Sequence, residues 1–233
     1  MEIETFRDPA ALVGNVIIPF VCFLFFVLPN RDVVNSASGA TVATLQLTSM
    51  LGFSTCLFGY SVSVAQDRES GFGMYLKTLP VGSFPRFLAV AVGALTVTAL
   101  GVVLLWAASL IATDAELSWD LLAGFGALLL TMVTWSLFGA ALGQVVNVKT
   151  VITVAQLAFL ALAFAGGMLV SPDYLPDGLD MVSRYLPSRA SRDLVCGLGS
   201  GEGVSAFVVA VHAFWTVLFG VVSVMSAKVF MRR

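Results

Sequence analysis

The sequence predicts an all-α integral membrane protein in which six helices cross the bilayer. Hydrophobic residues make up 58% of the chain and charged residues only 11%, whereas a soluble domain carries about 25% charged residues. Six runs without Asp, Glu, Lys or Arg each reach the roughly 20 residues that cross a hydrocarbon core about 30 Å thick. Because lipid offers no water to the backbone, each run is expected to be helical.

The predicted spans follow the charge-free runs in order. The run 33–66 is too long for one helix and too short for two, and its NSASGA beginning is typical of a connection, so the second span starts later. Residues 1–9 are predicted to form a short amphipathic helix at the inner surface, with Ile3 and Phe6 toward lipid. The six expected spans, in a single domain over residues 1–233, are 11–29, 41–64, 87–112, 121–144, 151–170 and 204–227.

The distribution of basic residues predicts that both termini lie in the cytoplasm. With the N-terminus inside, the inner segments hold eight Lys and Arg residues and the outer segments hold four. An excess of Lys and Arg on the cytoplasmic side sets the orientation of membrane proteins. In this orientation the charged segment 65–86 lies inside and the segment 171–202 lies outside.

The outer segment 171–202 is predicted to form short helices that lie on, or dip into, the outer leaflet. Its apolar residues Leu179, Val182 and Leu186 recur at helical spacing. The glycine-rich string at 197–203 lacks the Lys-Ser/Thr of a phosphate-binding loop, so it is predicted to be a turn. The prolines of this segment are Pro172, Pro176 and Pro187.

The inner segment contains a predicted amphipathic helix, Asp67–Leu79. Acidic residues at Asp67 and Glu69 suit the positive N-terminus of a helix, and Pro80 prevents the helix from continuing. Its apolar side chains exceed what a solvated loop needs. Two interpretations stay open: this surface packs on the membrane face, or it is a docking helix for a cytoplasmic protein.

The inner sequence DRESGFGMYLKTLPVG resembles the cytoplasmic-loop signature of the ABC-2 type exporter permeases. The stretch at 166–194 is similar to the family's segment after the fifth span, although Ser171 and Ser188 depart from its usual Phe and Thr. The opening FRDPAALVGNVIIPF is also similar, with Pro19 inside the first span. The positions that match the inner signature are Asp67, Arg68, Glu69, Gly71, Leu76, Pro80 and Val81.

This resemblance implies a permease that dimerises and binds two copies of a separate cytoplasmic ATPase subunit. The chain has no GxxxxGK[ST] sequence, so ATP and Mg would bind to that ATPase and this chain would hold no cofactor. The permease itself would then have no enzymatic activity. The implied contacts with the ATPase are Asp67, Arg68, Glu69, Gly71, Phe72, Tyr75, Leu76 and Pro80.

The implied activity is export from the cytoplasm or inner leaflet. Because no charged residue lies within a predicted span, a hydrophobic or amphipathic substrate is expected, either drug-like or lipid-like. Export of a polysaccharide or glycolipid is the alternative within the family. The second permease subunit is an identical or a different chain, and the resemblance points to the plasma membrane of a bacterium or archaeon.

Polar residues within the predicted spans are further candidates. Gln46 and Gln156 are expected to bond to a neighbouring helix rather than to substrate. His212, the only histidine, is a candidate for binding a proton or substrate, with a neutral His bonded to a neighbour as the alternative. One face of the second span either packs against another helix or lines a transport path; it consists of Thr41, Thr44, Thr48, Gly52, Thr55 and Gly59.

Two other protein classes compete with a permease. A rhomboid-type intramembrane protease would need Ser136 in hydrogen-bond contact with His212, but their predicted depths differ by roughly 10 Å at 1.5 Å per residue. An ATP-independent channel or membrane scaffold fits the composition but leaves Asp67–Leu79 without a role. The sequence predicts membrane lipid as the surroundings, and neither a metal site nor a nucleic-acid partner.

Overall fold

The computed structural model describes residues 17–70, 84–169, 171–172 and 176–231, and within them the chain is helical without β-strands. The all-α class is therefore confirmed. The predicted surface helix at residues 1–9 lies outside the described residues. In chain order the helices are α1 (Ile17–Val27), α2 (Arg31–Val34), α3 (Ala37–Glu69), α4 (Phe84–Ala112), α5 (Asp120–Val145), α6 (Val148–Ala165), α7 (Asp177–Ser183), α8 (Pro187–Gly199) and α9 (Ala206–Met231).

Within the described part of the chain, five helices are long and apolar enough to cross a membrane, namely α3, α4, α5, α6 and α9. They occupy the second to sixth predicted spans. The first predicted span, 11–29, is represented by the shorter apolar helix α1, and the beginning of that span lies outside the described residues.

The helix α3 is longer than the predicted second span, because it extends over 33 residues at 37–69 rather than 41–64. Its beginning is capped by Ser36, whose Oγ accepts a hydrogen bond from the Gly39 N–H at 3.2 Å. One π-helical turn, Thr55–Tyr60, interrupts its α-helical geometry. At 1.5 Å per residue α3 is about 50 Å long, so it exceeds a hydrocarbon core of about 30 Å.

The prediction that a new helix begins at Asp67 is wrong. Asp67 lies in the last turn of α3, which ends where Ser70 adopts an extended backbone with ψ 141°. The acidic residues there resemble the first turn of a helix, but neither Gly nor Pro separates them from Gln66, so nothing stops α3 earlier. The rest of the predicted helix, including its end before Pro80, lies outside the described residues.

The backbones of α3 and α5 approach each other closely. A Cβ atom added to Gly143 would lie 2.5 Å from the carbonyl oxygen of Ser61, and one added to Gly139 would lie 2.8 Å from that of Cys56. Small residues at such positions allow helices in a membrane to pack backbone to backbone. This contact fixes α5 beside the C-terminal half of α3.

Aromatic side chains complete the contact between α3, α5 and α6. The ring of Phe53 on α3 lies between Trp135 on α5, at a centroid distance of 4.1 Å, and Phe159 on α6, at 5.4 Å. Phe53 and Trp135 are fully buried. The ring of Phe53 therefore joins the three helices within the core.

The helix α8 packs between the spans instead of lying on their surface, and whether this segment dips into the outer leaflet stays a prediction. Its residues Ala190, Leu194 and Val195 are buried. A Cβ on Gly124 of α5 would lie only 2.7 Å from the Cα of Gly199, so α8 and α5 also touch through their backbones. Short helices are present as predicted, but the partner surface of α8 is the protein itself.

The glycine string 197–203 is only partly the turn that the sequence predicts. Gly197 and Gly199 belong to α8. The turn itself lies at Gly201 and Gly203, whose φ values of 77° and 81° favour glycine.

A substitution pair on α5 tests the close contact with α3. Gly143→Ala should destabilise the protein by about 1–3 kcal/mol, because the added methyl group overpacks a backbone contact. Gly126→Ala is the matched control, since nothing lies within 4 Å of its Cβ position, and it should be neutral or stabilising by up to about 1 kcal/mol. Thermal unfolding in detergent measures both, and equal melting temperatures would contradict the contact.

Candidate functional site

The C-terminal end of α3 is hydrogen-bonded to the turn between α5 and α6. The Arg68 guanidinium donates to the carbonyl oxygens of Gln144 at 2.5 Å and Val146 at 2.8 Å. The Glu69 carboxylate accepts a hydrogen bond from the Val148 N–H at 3.2 Å. Thus two of the residues in the inner signature contact this chain's own helix ends.

Electrostatics explains both contacts. The last carbonyl groups of a helix lack partners within it and attract cations, whereas the first N–H groups attract anions. Arg68 binds the carbonyl groups at the end of α5, and Glu69 binds an N–H group at the beginning of α6. The Nη2 atom of Arg68 lies 3.4 Å from the Oε1 atom of Glu69. Asn147 caps α6 by accepting a hydrogen bond from the Thr150 N–H at 2.9 Å.

The remaining members of the inner signature are placed as follows. Asp67 lies on the last turn of α3, where its carbonyl oxygen accepts a hydrogen bond from the Ser70 hydroxyl. Gly71, Phe72, Tyr75, Leu76 and Pro80 lie outside the described residues.

The threonine face of α3 makes contacts between helices. The Thr44 and Ser109 hydroxyl oxygens lie 2.6 Å apart, and the Trp106 indole N–H donates to Thr48 Oγ1 at 3.1 Å. Thr41 Oγ1 accepts from the Glu116 N–H, and Thr55 donates to the Leu51 carbonyl within its own helix. These four threonine side chains are buried within the chain, as expected for a face that packs against other helices.

The candidate His212 is part of a buried polar cluster between α5 and α9. Its Nε2 lies 3.1 Å from the hydroxyl of Thr134, which in turn lies 2.7 Å from the hydroxyl of Thr216. Thr216 also donates to the carbonyl oxygen of His212. This is the arrangement expected of a histidine bonded to a neighbouring helix.

The pairing that an intramembrane serine protease requires is not formed. The Ser136 hydroxyl donates to the sulfur of Cys56 at 3.5 Å, on the side of α5 that faces α3, whereas His212 contacts Thr134. Among the described residues, moreover, no three His, Cys, Asp or Glu side chains come together where they could hold a metal ion.

The two glutamines differ in their surroundings. The Gln46 amide donates to the carbonyl oxygen of Met168 at 3.1 Å and accepts from Arg192 at 3.1 Å, as expected for a bond to neighbouring segments. Gln156, in contrast, is exposed on α6 and makes no hydrogen bond with the described residues. Because α6 presents that face outward, the described residues offer the Gln156 side chain no partner, and the expected bond to a neighbouring helix stays a prediction.

An ionic network that involves α7 and α8 is the feature that sequence reasoning missed. Asp180 pairs with Arg184 at 2.6 Å and Arg189 at 2.9 Å, and Asp193 pairs with Arg189 and Arg192, both at 2.8 Å. Through the bond from Arg192 to Gln46 the network connects α7 and α8 with α3. The spacing of four residues between Asp180 and Arg184, and between Arg189 and Asp193, is the sequence pattern that could have predicted it.

Two prolines of the outer segment set the ends of its helices. Pro176 immediately precedes α7, and Pro187 is the first residue of α8, where its fixed φ and missing N–H cost nothing. Pro172 is buried. These prolines thus define where the helices bearing the ionic network begin.

An apolar groove lies between the C-terminal halves of α5 and α9. Its volume is about 300 Å³, and Ser226 is the single polar residue among those that line it. No residue of the predicted sites borders it. The residues that line the groove are Phe138, Ala141, Leu142, Val145, Val146, Leu218, Phe219, Val222 and Ser226.

The ionic network predicts a specific loss of stability in acid. Hydrogen bonds from Arg184 and Arg189 lower the pKa of Asp180 below its ordinary value, so its contribution to folding is full above about pH 4 and disappears as the pH falls through the lowered pKa. Asp180→Asn should therefore reduce the fall in melting temperature between pH 6 and pH 3.

The control for this measurement is Asp177→Asn, at an exposed position on the same helix. It should leave the pH dependence of the wild-type protein intact. If the Asp180→Asn and wild-type melting temperatures fall in parallel, the network does not stabilise the fold.

Comparison with known proteins identifies relatives of this chain. The family model described as "ABC-2 family transporter protein" matches residues 28–227. A curated protein of Bacillus subtilis (strain 168), named "Putative transport permease YvfS", is 23% identical over 196 residues, covering 78% of this chain and 75% of that protein. No solved structure matches this chain significantly.

Proposed function

The chain belongs to the ABC-2 transporter family, and from this membership we propose that it is the permease subunit of an ATP-driven exporter. The observation that carries the proposal is the match of the family model over residues 28–227, a region that contains all five helices of membrane-crossing length. The name of the Bacillus relative, a transport permease, supports the same activity.

The energy for transport is proposed to come from a separate ATPase subunit. The sequence contains no GxxxxGK[ST] nucleotide-binding loop. The inner segment 65–86 carries the signature described above and follows an α3 that extends beyond the thickness of a hydrocarbon core. We therefore assign this segment, and its residues Phe72, Tyr75 and Leu76 in particular, to contact with the ATPase.

A second permease subunit is proposed to cover the exposed polar face of α6. An amide side chain facing hydrocarbon without a partner is costly, and polar residues in membrane helices usually face a protein interior or a water-filled cavity. Gln156 and, one turn earlier, Thr153 are both exposed on α6. This face therefore belongs at the subunit interface or along the transport path that the two subunits enclose.

The proposed substrate is hydrophobic or amphipathic. The charge-free spans offer no side chain that would neutralise a charged group at the depth of the bilayer core. Exposed apolar side chains on α9, such as Phe214 and Val217, suit contact with lipid.

Replacement of the apolar residues in the inner segment tests the ATPase contact. With Phe72, Tyr75 and Leu76 all changed to Ala, the ATPase should no longer co-purify in mild detergent, and vanadate-sensitive ATP hydrolysis should fall at least tenfold. The control is the double change Leu117→Ala with Trp119→Ala, at exposed apolar positions near the opposite end of the bundle. A wild-type chain that purifies without any ATPase would favour a channel or scaffold instead.

Cysteine labelling tests the environment of Gln156. In a background without Cys22, Cys56 and Cys196, the variant Gln156→Cys should react with a polar thiol reagent at least tenfold faster than Val217→Cys, because a path excludes lipid and admits water. Val217 is the control because it is 66% exposed on an apolar face of α9. Equal rates at the two positions would show that water does not reach Gln156 and would exclude it from the path.

A further inference from the structure

We propose that Arg68 and Glu69 are positioning residues that fasten the α5–α6 turn to the end of α3, so that movement of the inner segment is passed to α6. The proposal rests on the proposed function, because it assumes that an ATPase moves the inner segment. It assigns these residues a role through this chain's own helices rather than through direct contact with the ATPase.

Arg68 attaches the end of α5 to α3. One guanidinium group reaches two carbonyl oxygens, those of Gln144 and Val146, on either side of the end of α5. Hydrogen bonds from a charged donor are shorter and stronger than neutral ones, and a planar guanidinium can make two at once. The side chain is only 17% exposed, so water competes little with these acceptors.

The position of Glu69 carries the second step. Its Oε1 atom accepts from the N–H of Val148, the first residue of α6. This N–H has no acceptor within its own helix, so the carboxylate supplies the missing partner. Arg68 and Glu69 are consecutive residues, and together they attach the end of one helix and the beginning of the next to the same turn of α3.

The two helices attached in this way differ in how else they are held. α5 is already fixed to α3 by the backbone contacts at Gly139 and Gly143. α6 is less enclosed, since 22% of its 18 residues are buried, compared with 78% of an apolar 18-residue window of α3. The hydrogen bond from Val148 to Glu69 is therefore placed to control the angle between α6 and α3. This angle in turn sets the position of the polar face that contains Gln156.

Conservative variants separate this role from a charge contact with the ATPase. Glu69→Gln keeps an oxygen that can accept from the Val148 N–H but loses the charge, whereas Glu69→Ala loses both. Arg68→Lys keeps the charge but cannot reach two carbonyl groups in a planar fork. If Glu69 acts through its hydrogen bond, Glu69→Gln should behave like the wild-type protein. If Glu69 acts through its charge, Glu69→Gln should behave like Glu69→Ala.

The first measurement is hydrogen exchange of the Val148 amide in the purified chain, which requires no ATPase. Glu69→Ala should accelerate exchange at least tenfold, and Glu69→Gln less than threefold. The control is Lys149→Ala, at an exposed position on the same turn, which should leave the rate within a factor of two. Equal acceleration by Gln and Ala would overturn the proposed hydrogen bond.

The second measurement is the distance between spin labels at Thr150 on α6 and Leu95 on α4, in the complex with its ATPase. We expect vanadate trapping with Mg-ATP to change this distance in the wild-type background. Arg68→Ala and Glu69→Ala should reduce the change at least fivefold while the ATPase stays bound, and Glu69→Gln should retain at least half of it.

The outcomes distinguish the two proposals. If no ATPase binds the wild-type chain, the proposed function fails, and the exchange experiment still tests the hydrogen bond alone. If the ATPase binds but the label distance changes equally in wild type and Glu69→Ala, the attachment is merely structural and the inference is overturned. A distance that does not change in the wild-type complex overturns it as well.

Discussion

The close approach of α3 and α5 is the constraint on which the rest of the structure depends. Two glycines on α5 leave room for the backbone of α3, and this brings the end of α5 within reach of Arg68. At the other end of α5, Gly124 leaves room for α8 in the same way. Without these glycines α5 would lie farther from α3 and α8. The hydrogen bonds from Arg68 to the end of α5 could not form, and α8 could not pack against α5.

Several polar side chains find hydrogen-bond partners on neighbouring helices inside this apolar chain. Thr44, Thr48 and His212 lie in helices long enough to cross a membrane, and each is bonded to a neighbouring helix. Such bonds compensate for the water that lipid cannot supply. Gln156 departs from this pattern, because its side chain is exposed on α6. We therefore place α6 at the proposed subunit interface or transport path.

The sequence predicts the helices well where local chemistry alone determines them. Charge-free runs of sufficient length can only be helical in lipid, and α4, α5, α6 and α9 accordingly coincide with predicted spans to within a few residues. The end of α3 was misplaced because acidic residues suit a first helical turn, while the actual partner of Glu69 is Val148, which lies 79 residues further along the chain. The direction in which Gln156 points and the burial of α8 likewise depend on packing between distant segments, which no local pattern contains.

The π-helical turn at Thr55–Tyr60 changes the directions in which the later side chains of α3 point. A turn of this kind accommodates one extra residue, which rotates everything after it by about 100° relative to an uninterrupted helix. The half before the turn therefore directs Thr44 and Thr48 toward α4, while the half after it directs Ser61 and Val64 toward α5. Loss of a single residue here would turn Arg68 away from the end of α5 without altering any residue that contacts it. The number of residues in α3 is thus a structural determinant as important as the identity of its side chains.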